Sequence, residues 1–379
     1  MAIPGMEIPE IQPAYPAARA AALKVHPHFA RHGAPYGPVP DVEAMEAIID
    51  AAFWASLRRE ENITPRISLA FVSEAQLNLS MIFARPVALA SQALTRLGPA
   101  VERPGIHLCV SRHDGELMVW GAARKLPPLC FVLEVVAPGL LVLKHSRGDE
   151  SGKFVNLAVL QGDEIKIVDH ESATASDWPE LLTPLLGLQP RSEPDPVSVL
   201  IQLAISMRAH GRGGVLLVVP AESTLWLKSI LQPITYQIEP AFRALADLML
   251  EDVFARTARR WQDSLAAMVD GIAGLTAVDG ATILTDRYDL LAFGAKIVLR
   301  PGREQVSGVM VSEPIEGGVV TTTEPGNLGG TRHLSAAQFV HDQRDALAFV
   351  ASQDGRFTVF AWSQPCKIVR AYRIETLLL

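Results

Sequence analysis

Short apolar runs separated by turn residues fill the chain between residues 66 and 169, and this pattern constrains the fold more than any other feature. Gly, Pro or Asp stands between consecutive runs. Such runs predict β-strands, because β-branched and other apolar side chains pack well on a pleated surface, whereas Gly, Pro and Asp favour turns. The predicted strands are RISLAFV, IHLCVS, GELMVWGA, CFVLEVV, GLLVLK, FVNLAVL and EIKIVD, and the stretch ARPVALASQALTRLG between the first two is predicted to be helical.

The segments that flank this region are simpler. Residues 1–40 are rich in Pro and Ala, and we interpret them as an extended or loosely packed lead-in. Asp41 then caps a helix that runs to about Arg59, because apolar residues recur every three or four positions after it. Residues 171–195 contain Pro, Ser and acidic residues and are interpreted as a connector.

The second half of the chain mixes helical and strand-like segments. A helix at about Val197–Arg208 precedes the strand VLLVVP, and a long packed helix follows at about 241–268. Strand-like runs and a helix near Ser335–Gln343 complete the chain. This order predicts a mixed α/β protein with a β-rich α+β domain at 41–240 and a second domain at 241–379.

The glycine-rich loop His210-Gly211-Arg212-Gly213-Gly214 has two interpretations. Its backbone N–H groups could cradle an anion. Alternatively, the glycines simply end one helix and start the next strand, which is the commoner use of such a run.

Composition and charge exclude several classes of protein. Apolar residues make up 49% of the chain and charged residues 20%, which is too apolar for an intrinsically disordered protein. The net charge is −7, so the chain lacks the basic excess from which non-specific nucleic-acid binding derives its affinity. The cysteines Cys109, Cys130 and Cys366 form no CxxC pair, which argues against a zinc site and against a disulfide framework.

Signals for export and for membrane insertion are also missing from the sequence. The first residues, MAIPGMEIPEIQPAYP, have neither the basic nor the apolar region of a signal peptide. No segment reaches the roughly 18 uninterrupted apolar residues that a membrane helix needs. We therefore expect a soluble, cytoplasmic protein that binds neither membranes nor nucleic acid.

Two candidate functional motifs are turns in the last third of the chain. In Asp279-Gly280-Ala281, an Asp beside a strand can present its carboxylate to a pocket, and Gly lets a ligand approach the backbone. The same Asp-Gly pair is also typical of a hairpin turn. In Ala351-Ser352-Gln353-Asp354-Gly355, the last two residues predict a type I′ hairpin, and Ser352 and Gln353 could hydrogen-bond phosphate oxygens.

The third motif, Gly329-Gly330-Thr331-Arg332-His333, precedes a predicted helix and has the composition of an anion site. Free N–H groups and the helix dipole both favour phosphate at a helix N-terminus. Arg332 adds a planar guanidinium that can bind two phosphate oxygens, and His333 could contact a phosphate or a metal. The alternative is an ordinary loop in which Thr331 caps the helix and Arg332 faces solvent.

In this order and spacing, the segments VDGATIL, GGTRHLSAAQF and VASQDGRFTVF resemble the motifs of the diadenylate cyclase domain family. The resemblance covers about residues 240–379 and implies a mixed central sheet flanked by helices. It also implies that two ATP molecules are condensed to cyclic di-AMP with release of pyrophosphate. Each subunit would hold one ATP together with Mg²⁺ or Mn²⁺, and two cyclase domains would meet face to face in a homo-oligomer.

The resemblance implies roles for individual residues. Asp279 would bind the metal or help to deprotonate the 3′-hydroxyl that attacks the α-phosphate of the opposite ATP. Arg332 and His333 would stabilise the charge that moves to the leaving pyrophosphate, and His333 would also contact the metal. The residues expected to bind ATP are Gly280, Ala281, Leu299, Gly330, Thr331, Arg332, His333, Ser352 and Gln353.

Three departures from the family's pattern leave other functions open. Gly329-Gly330 replaces a typical Leu-Gly, the segment Val298–Pro301 replaces Leu-Pro-Leu-Ser, and Ser352-Gln353-Asp354 replaces Ser-Glu-Glu. A second hypothesis is therefore a nucleotide-binding sensor with a degenerate cyclase fold that forms no product. A third is an interaction protein whose β-rich half docks a partner.

Residues 1–240 resemble the N-terminal sensor domain found in some bacterial diadenylate cyclases. The similar segments are GELMVWGA, PPLCFVLEVVAPGLLVLK and HGRGGVLLVVP. This resemblance implies that the N-terminal domain tunes the cyclase in response to a signal whose identity is unknown.

Overall fold

Two compact units, which divide between Val168 and Asp169, make up the protein. Each unit is built on one large sheet with parallel and antiparallel strands and with helices packed against it. The mixed α/β class predicted from the sequence is therefore confirmed. The structure is a computed structural model that describes residues 13–32, 37–59, 64–77, 80–103, 105–147, 154–169, 199–252 and 254–379.

The first unit forms a sheet whose described strands follow the order β2-β4-β3-β1-β5-β6-β7-β8. Its helices are α1 Pro16–His32, α2 Val42–Leu57 and α3 Ser91–Val101. Its strands are β1 Ile67–Phe71, β2 Ser80–Ala88, β3 His107–His113, β4 Glu116–Ala123, β5 Phe131–Ala137, β6 Leu140–Ser146, β7 Phe154–Gln161 and β8 Glu164–Ile167.

Helix α2 begins where the sequence predicts. The Asp41 carboxylate accepts a hydrogen bond of 2.7 Å from the backbone N–H of Ala44, which satisfies one of the unpaired donors of the first turn. Met45, Ile48 and Ile49 are fully buried and join the core between the helices and the sheet. The apolar spacing that predicts the helix is therefore the spacing that anchors it.

The prediction of a loosely packed lead-in is wrong for the described part of residues 1–40. Residues 16–32 form α1, and Ala21, Ala22, Val25 and Phe29 on this helix are buried. Alanine is the best helix former, and these side chains recur at helical spacing, so the segment folds as a helix that packs on α2. Residues 1–12 and 33–36 lie outside the described residues, as does the predicted connector 171–195.

The helix predicted over ARPVALASQALTRLG is correct only in its second part. The residues ARPVA belong to the edge strand β2, and α3 begins at Ser91. Pro86 explains the difference, because proline disfavours the helical conformation of the residue before it and is tolerated in a strand at a sheet edge.

The second unit forms a larger sheet, in the order β10-β12-β11-β9-β15-β16-β17-β13-β14. Its helices are α4 Val199–Ala209, α5 Ala244–Met249, α6 Arg259–Leu275, α7 Gly326–Gly329 and α8 Thr331–Asp342. Its strands are β9 Gly214–Val219, β10 Tyr236–Phe242, β11 Ala281–Thr285, β12 Leu290–Ala295, β13 Val309–Ser312, β14 Thr321–Thr323, β15 Leu347–Ala351, β16 Phe357–Ser363 and β17 Ile368–Arg373.

Strand β9 lies in the middle of this sheet, and its position corrects the domain boundary placed near residue 240. All six residues of β9 are buried. The strand pairs with β11 in parallel and with β15 in antiparallel orientation. The described part of residues 199–240 therefore belongs to the second unit and not to a domain spanning 41–240.

Two further elements bear on the geometry of the second unit. Helix α8 packs against β9, β15, β16 and β17, with Ala336, Phe339 and Val340 in the shared core. The single long helix predicted at 241–268 is wrong, because the segment contains the end of β10, then α5, then the start of α6. Leu250 is 77% exposed, so the apolar residues of this segment do not form one continuous buried stripe.

Candidate functional site

One edge of the second sheet collects the ends of neighbouring strands and, with them, the predicted motifs. Strands β9 and β11 are parallel and both begin at this edge, with Val215 opposite Ala281. Strand β15 runs the other way and ends there, with Ala351 opposite Gly214. The loop before β9, the turn before β11 and the turn after β15 therefore lie side by side.

Asp279 and Gly280 stand in a turn between α6 and β11, and not in the hairpin that was the alternative. Gly280 has φ +118°, and a Cβ there would lie 2.4 Å from the carbonyl carbon of Gly294. The glycine is therefore required for packing against β12. The Ala281 side chain is buried in the core, so Ala281 offers only its backbone to this edge.

Asp279 presents its carboxylate to solvent, with 92% of the side chain exposed. Lys296, which directly follows β12, places its ammonium nitrogen 2.6 Å from Oδ2 of Asp279 and lowers the pKa of this carboxyl, and the charge of Arg332 acts in the same direction. Asp279 is therefore ionised at neutral pH and a weak base. Such a carboxylate is better suited to holding a cation than to deprotonating a hydroxyl.

The glycine-rich loop leads into α8 with the geometry of an anion site. Gly330 precedes the helix with φ +80°, a conformation that glycine adopts without strain. No side chain hydrogen-bonds the first turn from the cap position, so Thr331 is not the cap that the alternative interpretation required. Thr331 and Arg332 are both exposed at this helix N-terminus, where an anion is electrostatically favoured.

His333 lies beneath the loop and away from solvent, with a side-chain environment that opposes the predicted metal and catalytic roles. The residue is 1% exposed. Its Nδ1 is 3.1 Å from the carbonyl oxygen of Gly329, and its Nε2 is 3.4 Å from the hydroxyl of Thr358. Burial lowers the pKa of the imidazole, which keeps it neutral. In this arrangement His333 supports the loop that carries Arg332 instead of contacting a ligand.

The turn after β15 differs from the predicted type I′ hairpin. The N–H of Gly355 donates to the carbonyl of Ser352 at 3.2 Å, and the N–H of Ser352 donates to the carbonyl of Arg356 at 2.9 Å. Gly355 has φ +85°, but Asp354 does not have a positive φ, whereas a type I′ turn requires positive φ at both central residues. The turn is instead a type I turn followed by a left-handed glycine, and it holds Ser352 and Gln353 at the edge.

A contact that the sequence motifs do not reveal joins this turn to the loop before β9. Gly213 has φ +72°, and a Cβ there would lie 2.8 Å from Nη1 of Arg332 and 3.4 Å from Cγ of Gln353. The amide nitrogen of Gln353 is 3.4 Å from the carbonyl oxygen of Arg212. The loop HGRGG ends α4 and starts β9, as one interpretation held, and it also touches two of the predicted site residues. Its glycine content was the only sequence signal for this contact.

Leu299 is the predicted site residue that the structure does not bring to this edge. It is 47% exposed in the segment after β12. The backbone N–H of the next residue, Arg300, donates to the carboxylate of Asp342 at the C-terminal end of α8. Arg332 lies at the opposite end of that helix, roughly 16 Å away at about 1.5 Å per residue. The segment Val298–Pro301 therefore crosses the far end of α8, and the assignment of Leu299 to the same site is wrong.

The side chains at this edge fit a divalent cation only in part. Within the ranges that the structure describes, no group of three or more His, Cys, Asp and Glu side chains is arranged to hold a metal. Asp279 alone could supply a carboxylate, which matches the way Mg²⁺ binds through one or two carboxylates and substrate phosphates. Both ring nitrogens of His333 lie against protein groups, so this histidine does not fit.

Residues 34–124 match the family model of the probable sensor domain DACNV. The matched segment contains α2, α3 and β1 to β4 of the first unit. It covers about a quarter of the chain and identifies a sensor domain within the region where the sequence predicts one. No curated protein matches the chain. None of the helices in the described ranges has the length and apolar character needed to cross a membrane.

Proposed function

We propose that this protein is a diadenylate cyclase that condenses two ATP molecules to cyclic di-AMP and pyrophosphate, with its activity tuned by the N-terminal sensor domain. The observation that carries the proposal is the convergence of three separate motifs at one sheet edge. The Asp-Gly-Ala turn, the loop that begins α8 and the turn after β15 are more than 70 residues apart along the chain from first to last, yet all three flank the same strand ends.

Phosphoryl transfer depends mainly on positioning and on charge, and the edge offers both. The first turn of α8 and the Arg332 guanidinium would bind the triphosphate and stabilise the negative charge that moves to the leaving pyrophosphate. Gln353 and the hydroxyl groups of Thr331 and Ser352 can donate to further phosphate oxygens. These groups hold one ATP, so the attacking 3′-hydroxyl must come from a second ATP on an opposed copy of this edge in a homo-oligomer.

Asp279 is the residue that would hold a divalent cation, Mg²⁺ or Mn²⁺, beside the phosphates. When bound, such an ion supplies positive charge that polarises the phosphoryl oxygens. For this role the Asp279 carboxylate must exchange its ion pair with Lys296 for the ion. The released Lys296 ammonium would then lie beside the same phosphates.

The match to the DACNV model supports the regulatory half of the proposal. A sensor domain joined to an enzymatic unit is the arrangement that the sequence resemblance implies. We propose that the reaction takes place in the cytoplasm, where ATP is available.

The test is product formation by the purified protein. The full chain is incubated with ATP and either Mg²⁺ or Mn²⁺, and cyclic di-AMP is measured by mass spectrometry. We expect Asp279→Asn and Arg332→Ala each to reduce the rate by about 100-fold or more, the scale of a lost charge-stabilising group. Asp263→Asn, which removes an exposed carboxylate on α6, is the matched control and should keep the wild-type rate.

Two results would contradict the proposal: no cyclic di-AMP from the wild-type protein with either metal, or undiminished product from Asp279→Asn. Circular dichroism spectra that match the wild type establish that a low rate in a variant is not caused by unfolding.

The Lys296–Asp279 ion pair favours a second candidate, a nucleotide-binding sensor that forms no product. Lys296 already neutralises the carboxylate that a cation would need. This candidate predicts that ATP raises the melting temperature of the wild-type protein, and that Asp279→Asn leaves this shift intact. Because a ligand at 100 times its Kd stabilises a protein by about 2.7 kcal/mol, the shift is readily measured.

A further inference from the structure

Arg332 is positioned by a glycine that is 119 residues away in the sequence. Nη1 of its guanidinium occupies the space beside Gly213 where any other residue would carry its Cβ, 2.8 Å from that position. The carbonyl oxygen of Ala351 is 3.2 Å from the same point, and Cγ of Gln353 is 3.4 Å away. The guanidinium therefore lies in a niche formed by the start of β9 and the end of β15.

The conformation of the loop before β9 keeps this niche open. The backbone N–H of Arg212 donates to Nδ1 of His210 at 3.1 Å, and Nε2 of His210 is 3.2 Å from the hydroxyl of Thr276 on the turn after α6. On the other side, the amide of Gln353 reaches the carbonyl of Arg212. The loop is thus held at both ends, and Gly213 cannot shift freely to accommodate a larger side chain.

Arg332 has no other evident anchor within the described residues. No hydrogen bond or ion pair joins its guanidinium to another described group. The space above Gly213 is thus what fixes the direction of the guanidinium, while its N–H donors stay available to a ligand.

We propose that Gly213 is a positioning residue for the proposed triphosphate site: its missing side chain creates the niche that aims the Arg332 guanidinium at the phosphates. This inference rests on the proposed function for the identity of the ligand. Gly213 itself touches no phosphate and acts only through Arg332.

The chain offers a matched control two residues away. Gly211 has φ +65°, close to the +72° of Gly213, so alanine suffers similar backbone strain at either position. A Cβ at Gly211 would meet no atom within 4 Å, whereas a Cβ at Gly213 would collide with Arg332. A comparison of Gly211→Ala with Gly213→Ala therefore separates the loss of the niche from the strain of the loop.

The experiment measures binding of inorganic triphosphate to the full chain by calorimetry in the wild type, Gly211→Ala, Gly213→Ala, Arg332→Ala and the double variant Gly213→Ala/Arg332→Ala. We expect Gly213→Ala to raise the Kd at least tenfold, approaching the effect of Arg332→Ala, and Gly211→Ala to raise it less than threefold. The double variant should bind no more weakly than Arg332→Ala alone, because both changes remove the same interaction. Melting temperatures establish that each variant is folded.

Wild-type affinity in Gly213→Ala, equal losses in the two glycine variants, additive losses in the double variant, or no triphosphate binding by the wild type would each overturn the inference. Should Gly213→Ala fail to fold, Gln353→Ala, which removes another wall of the niche, must raise the Kd at least threefold. Cyclic di-AMP is measured in parallel. The expected binding pattern without product would leave the inference standing and reject the cyclase, whereas product formation with unaltered binding in Gly213→Ala would do the reverse.

Discussion

At the residue scale, two buried histidines show how surroundings decide what a titratable side chain can do. His107 on β3 and His333 on α8 are 4% and 1% exposed, and burial lowers the pKa of both. A buried imidazole is held neutral because its charged form would lose hydration without a compensating partner. The sequence shows a histidine beside an arginine in a glycine-rich loop, but burial is a property of the fold, so it could not predict that His333 faces inward.

The same reasoning predicts the response of the first unit to acid. The pKa of His107 is lowered from about 6.5 to about 4, so the unfolded chain binds a proton between these values and the folded unit does not. This group's contribution to stability is complete above pH 6.5 and is lost as the pH falls towards 4. We expect the free energy of unfolding to fall by roughly 2 kcal/mol more in the wild type than in His107→Gln between pH 7 and pH 5.

Urea unfolding curves at the two pH values measure this difference. His113→Gln, which changes an exposed histidine on the same strand, should retain the wild-type pH dependence. A His107→Gln variant that loses as much stability on acidification as the wild type would contradict the assignment.

At the element scale, local patterns predict regular structure well where one interaction dominates. Asp41 caps α2, and apolar runs bounded by turn residues mark the strands from β3 to β8. The failures occur where packing or chain direction decides the structure. Alanine-rich α1 folds as a helix because it has a core to pack on, and Pro86 lies in a strand because that strand is at the sheet edge.

Helix α1 gives a direct test of whether this segment is a structural element or a loose lead-in. Phe29 is 1% exposed and its ring packs edge-on against Phe131, with 5.5 Å between the ring centroids. Phe29→Ala should destabilise the first unit by about 3–5 kcal/mol, because it leaves a cavity in the core. Leu23→Ala, on the exposed face of the same helix, should change stability by only about 0.5 kcal/mol. Denaturant unfolding measures both, and equal effects would contradict the packing of α1.

At the scale of the whole molecule, the candidate site depends on strand order, which no local pattern contains. The sequence motifs locate Asp279, Arg332 and Ser352, but only the sheet shows that their loops share one edge. It also brings Gly213 to that edge and takes Leu299 to the far end of α8. Contacts between segments more than 100 residues apart are set by topology, so the sequence could predict the motifs but neither their complete set nor their boundaries.

Strand β9 makes this dependence testable, because it lies outside the domain 241–379 that sequence patterns alone define. Its six buried residues join β11 to β15 at the centre of the second sheet, and removing it would expose two strand edges and a large apolar surface. We therefore expect a fragment of residues 169–379 to unfold cooperatively and a fragment of residues 241–379 to aggregate or to remain without fixed structure. Size-exclusion chromatography and thermal unfolding followed by circular dichroism distinguish these outcomes. A monodisperse, cooperatively unfolding 241–379 fragment would show that β9 is dispensable, and it would place the boundary of the folded unit near residue 240 after all.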